Sequence, residues 1–177
     1  ELRESEYFDL LEVLGKLVFE SVELACRPSV RPAEPDTRRA NKARLADMAE
    51  KADRLAGRIM KALASDFITP MERRDISAVA LSLRRAVHTA CRVPRISAAE
   101  CRMEPAVCCL KLAALVEKYT GVLRKINKKG PLPLPSAYFQ AANIPPGTPV
   151  GQGAISRLYE RLCDACETVR RAVMGKI

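Results

Sequence analysis

Phe67-Ile68-Thr69-Pro70-Met71-Glu72-Arg73-Arg74-Asp75-Ile76 follows a long amphipathic run that ends at Leu63. Thr69 carries the side-chain oxygen of a helix cap, Pro70 suits the first helical position, and Glu72 completes a capping box. The stretch reads as a tight corner between two antiparallel helices. Before it, Leu45, Met48, Ala52, Leu55, Ile59 and Leu63 recur at three- and four-residue steps. They predict a helix over 37–65, with Asp36 as N-cap. After it, Ile76, Val79, Ala80, Leu83, Val87 and Ala90 predict a helix that stops before Pro94.

The same periodicity extends to both ends of the chain. Tyr7, Leu10, Leu11, Leu14, Leu17, Val18 and Leu24 mark a first helix over 5–27, broken by Pro28, Pro32 and Pro35. Ser97 and Glu100 form a second capping box. It opens a fourth helix to about 127, with Val107, Leu110, Leu115, Tyr119 and Val122, and with Pro105 as a kink near its start. Gly130 fits a C-cap. Residues 130–152 hold six prolines and read as a long irregular connection. A fifth helix follows over 153–174. Alternating runs and hairpin turn pairs are missing, so the fold class is all-α. Helices one to three predict an up-down-up unit over 1–93. Residues 97–177 read as a degenerate second unit, with no strict repeat in sequence.

Composition narrows the function classes. The 177 residues are 48% apolar, with 5% aromatics and no Trp. Such a core is filled by Leu, Val, Ala, Met and Cys, which suits helix packing. No apolar run reaches the ~20 residues of a membrane span. The first residues are acidic, unlike a signal peptide. Seven cysteines make an odd count, which fits a reduced cytoplasmic protein better than a disulfide framework. Thirty basic and 21 acidic side chains leave a charge of +9, which attracts polyanions of any kind. RNP-type aromatics, zinc-finger spacing and helix-turn-helix signals are missing, so nucleic-acid binding would rest on charge alone.

The corner closely resembles the F-I/V-T-P-I/L-D/E-R-x-D-I corner of the PhoU-like proteins that accompany Pit-type phosphate transporters. Phe67, Thr69, Pro70, Glu72, Arg73 and Asp75 carry the match. Tyr7-Phe8-Asp9-Leu10-Leu11 looks like that family's opening, and Ala52-Asp53-Arg54-Leu55 like its second-helix motif. The run from Leu158 to Val169 resembles its closing helix. The resemblance implies two three-helix bundles and a cytoplasmic, non-enzymatic regulator of phosphate transport. It implies action by contact with a phosphate transporter or another protein, at or near the inner membrane surface. A homodimer is the default oligomer.

The resemblance also implies metal ligands, because some relatives bind metal clusters through acidic residues four apart, one turn apart on a helix face. This chain departs from that pattern. Ala49 replaces the first acid of the second helix and leaves Asp53. Arg84, Arg85 and His88 stand where the third helix commonly has acids. A guanidinium cannot ligate a cation and repels one nearby. One of the family's six helices is missing or rewritten as 130–152. Glu160, Asp164 and Glu167 survive on the last helix, opposite the stripe of Leu158, Leu162, Cys166, Val169 and Val173. Asp53, Glu160, Asp164 and Glu167 are thus the residual metal candidates. Against them stands a solvated acidic face paired with Arg157, Arg161 or Arg171. Arg84, Arg85 and His88 are the candidates for an oxyanion site, against a plain basic face. Cys163 and Cys166, with Cys108 and Cys109, lie inside helices and read as core rather than as zinc or redox ligands. The expected cofactor is none. The alternatives are a metal-binding protein or metal-dependent enzyme, and a basic nucleic-acid binder.

Overall fold

The computed structural model describes residues 2–30, 34–93, 103–125 and 153–175, of which 28–30 and 103–105 are described by backbone alone. These residues form five helices and no strand. They are α1 Glu4–Val30, α2 Pro35–Ser65, α3 Arg73–Arg92, α4 Met103–Val122 and α5 Ala154–Gly175. The all-α reading stands. Ser97, Glu100, Gly130 and the connection 130–152 lie outside the described residues.

Periodicity located the elements well, but the caps differ. α2 starts two residues early because Pro35 takes the first helical position. Glu34 sits at its N-cap without a side-chain bond, and Asp36 lies in the first turn. There its charge still favours the helix dipole. Pro105 also falls in the first turn, of α4, where its missing N–H is not needed, so position gives it no kinking role.

α1 is, with α3, one of two central helices. It packs against α2, α3 and α4, while α5 packs against α3 and α4. Its buried residues accordingly surround it: Tyr7, Leu10, Leu11, Leu14, Leu17, Val18, Val22 and Cys26. α2 lies outside the groove between α1 and α3. It buries a narrower stripe rich in small residues: Leu45, Met48, Ala52, Ala56, Ile59, Ala62 and Leu63. One hydrophobic core joins all five helices.

Cross-helix contacts fix the directions. Tyr7 meets Asp66, and Cys91 meets Leu45, so α1 and α3 both run antiparallel to α2. The Arg124 guanidinium meets Asp9 and Glu12 and covers the Phe8 ring, so α4 runs antiparallel to α1. The Cys109 thiol faces the Ile155 carbonyl near the start of α5, and Gly175 at its end abuts the Asp75 carboxylate of α3. α4 and α5 therefore run parallel.

The result is two layers: α1 beside α3, and α4 beside α5, with the layers antiparallel. Exchanging α1 with α4 and α3 with α5 leaves the packed pairs unchanged, as an approximate two-fold would. No described helix takes the place that would correspond to α2 in the second layer.

Candidate functional site

The corner lies at one end of the bundle, where α2 stops and α3 begins. The Arg73 guanidinium opens α3 and turns back to donate to the carbonyls of Leu63, Asp66 and Phe67. A cation at a helix N-terminus is disfavoured by that helix's own dipole. Here it faces the carbonyl end of α2, where four acceptors lack helical partners and positive charge is favoured. The expected capping box is not formed. The Thr69 hydroxyl donates to the Met71 carbonyl at 2.7 Å, and α3 begins after Glu72, whose side chain makes no cap bond. Met71 is buried, and drawing it into the core holds 69–71 in a bend and delays the helix.

Asp66 locks the corner to α1. Its buried carboxylate accepts from the Tyr7 hydroxyl at 2.6 Å and the Leu2 amide at 3.0 Å. Those two bonds favour the charged form and outweigh desolvation, so the Asp66 pKa is held below the usual carboxylate value. Neither Asp66 nor the role of Arg73 was read from sequence. The signals were there: an arginine on the wrong end of a helix, and an acid directly after a helix end. With the backbone fixed in this way, Phe67 and Ile68 point outward, 91% and 67% exposed.

The α2–α3 seam holds the second group. Asp53 Oδ1 accepts from Arg84 Nε at 2.5 Å and lies 2.7 Å from His88 Nε2. Desolvation would raise the Asp53 pKa, but the His88 and Arg84 bonds hold the carboxyl below its ordinary value. Arg85, one residue round the helix, is exposed and lies outside this group. The two candidate anion binders on one face thus already share a carboxylate. The residual metal candidate Asp53 has Arg84 and His88 on the oxygen a metal would need.

On α5, Asp164 pairs with Arg161 at 3.7 Å. Glu167 accepts from Arg170 Nε at 2.8 Å and Arg171 Nε at 3.3 Å. The Arg170 bond leads in lowering the Glu167 pKa. Glu160 is exposed. This is the arginine-paired acidic face weighed above, with Arg170 an unread partner. Asp53 is on α2, which packs chiefly on α1 and α3, and its oxygen is taken by Arg84 and His88 of α3 rather than shared with the acids of α5. Among the described residues, no group of three or more His, Cys, Asp or Glu side chains could hold a metal ion.

The described cysteines sit where apolar residues would. Cys26, Cys109 and Cys166 are buried, and Cys108 and Cys163 half-buried. A hydrogen bond with Cys26 and burial together raise the Cys109 pKa, and burial pushes Cys166 up to about 12. Such thiols stay protonated, and so unreactive, at neutral pH. Among the described residues, no helix is long and apolar enough to cross a membrane. The chain matches no protein-family model and no curated protein.

Proposed function

We propose that this chain is a non-enzymatic regulator or accessory protein of inorganic phosphate transport, related to the PhoU-like proteins and acting by contact. The observation that carries the reading is the corner 67–76, whose sequence resembles that family's corner. The structure gives it a defined form: Arg73 and Asp66 fix the backbone, and Phe67 and Ile68 point away from the bundle. The two antiparallel layers support the reading, since they fit a protein descended from two three-helix units. The Asp53–Arg84–His88 group supports contact over metal chemistry, because a guanidinium and an imidazole fill the place beside the carboxylate.

The test is uptake. Radiolabelled phosphate is followed in cells that carry a Pit-type transporter, with and without this protein. The expected result is a changed uptake rate, and recovery of the transporter with the tagged chain after mild detergent extraction. An unaltered rate with no transporter recovered would overturn the reading.

A further inference from the structure

The α1–α4 seam joins the two layers, and its two ends are closed by different chemistry. Near the corner the Arg124 guanidinium spans Asp9 and Glu12. Further along, Gly15 lies against Thr120. At the far end two thiols meet. Cys26 lies in the last part of α1 and Cys109 in the second turn of α4, and their side chains share a hydrogen bond. Both are fully buried. Cys108 and Cys163 stand within electrostatic reach of Cys109, so four thiols from three helices gather here.

The other described thiols face other groups. Cys91 donates to the Leu45 carbonyl at 3.0 Å, Cys163 faces the Tyr159 side chain, and Cys166 lies 4.0 Å from the Leu112 carbonyl. Cys108 is badly placed to bridge to Cys109, because successive side chains on a helix point roughly 100° apart. Cys26 and Cys109 are sulphur against sulphur, one from each layer.

We propose that Cys26 and Cys109 form a redox-sensitive clasp, which closes as a disulfide under hydrogen peroxide and pins the two layers together at the end away from the corner. Peroxide leaves one oxygen on the first sulphur as a sulfenic acid and departs as water. The second sulphur then attacks the first, the S–O bond breaks, and a second water leaves with the thiol proton. Two electrons pass from the sulphurs to the peroxide, and no other reactant is needed. The new bond draws two touching sulphurs to about 2 Å.

Burial decides when this happens. The hydrogen bond with Cys26 and burial raise the Cys109 pKa, so the closed bundle keeps the pair reduced. Both residues lie near helix ends, where local opening costs least. Oxidation therefore follows opening of this end of the seam, and the disulfide then prevents further opening. The inference does not depend on the phosphate reading, and its test contains no transporter, so either can fail without the other.

The full chain is treated with hydrogen peroxide near stoichiometric amounts, then unfolded in urea so that every free thiol can be counted with a chromogenic disulfide reagent. The count should fall from seven to five, and a peptide map should show Cys26 joined to Cys109. Oxidised protein should unfold at higher urea than reduced protein, and dithiothreitol should reverse the difference. Cys108→Ser with Cys163→Ser should keep the linked peptide. Cys26→Ala should keep its remaining six thiols under the same treatment. The wild-type map alone decides the matter if Cys26→Ala does not fold. An unchanged thiol count in the wild type would overturn the inference, as would a map that joins other cysteines. So would an oxidised protein that unfolds at the same or lower urea, since the bond would then hold nothing together.

Discussion

Arg73 spans two helices with one side chain, because a guanidinium can serve several carbonyls from one anchor. Arg73→Met keeps the stem but leaves those acceptors to water. It should cost about 1–2 kcal/mol in urea denaturation. Arg73→Lys should recover only part, since an ammonium lacks the fork. A full recovery would mean that charge alone matters. Asp66 links the same corner to α1, and its effect depends on pH. Its folded pKa lies below the unfolded value, so its contribution is complete above the ordinary carboxylate range. That contribution fades as pH falls through the unfolded and then the folded value. Stability measured from pH 6 down to pH 3 should therefore drop less steeply in Asp66→Asn than in wild type, with the variant already weaker at pH 6. Parallel curves would refute the assignment. The residue types at this corner were legible from sequence. Their roles were not, since a cap that closes on the neighbouring helix needs the corner's geometry.

Helix α1 meets α4 at Gly15, where an added methyl would lie 3.1 Å from Thr120. Thr120 is buried, and its hydroxyl donates to the Val116 carbonyl at 2.6 Å, so it has little room to yield. Gly57 on exposed α2 has nothing within 4 Å of the same position. Both are helical, so alanine gains roughly 0.5–1 kcal/mol of propensity at either place. Gly57→Ala should show that gain in thermal unfolding. Gly15→Ala should lose it and become destabilising by about 1 kcal/mol through overpacking. Adding Thr120→Ala to Gly15→Ala should give a favourable coupling, and strict additivity of the two would show that the helices do not touch there. Helices and their buried stripes were legible because a 3.6-residue period is a local property. Helix partners were not. Asp53, Arg84 and His88 meet across 31 and 35 residues of chain, and periodicity assigns each only to a face of its own helix. Residue type alone separated cation ligands from cation substitutes, and the seam then showed what the substitutes face.

At the scale of the whole molecule, the layer of α1 and α3 is covered by the layer of α4 and α5. Sequence pointed to two units but did not say which of their faces meet, since packing across a bundle is not a local property. The approximate two-fold has a consequence for a fragment of residues 2–93. That fragment keeps α2 on its outer side and loses the cover on its inner side. Bare apolar faces of that extent do not persist in water. The two-fold supplies a remedy, because a second fragment can set its own α1 and α3 antiparallel where α4 and α5 had been. A closed C₂ pair would then bury both layers. The fragment should therefore run as a helical dimer in light scattering. Its urea midpoint should rise with protein concentration, as it does when folding and association are one step. A helical monomer whose midpoint ignores concentration would show that α1, α2 and α3 form a core of their own, and the two-layer account of the fold would fall with it.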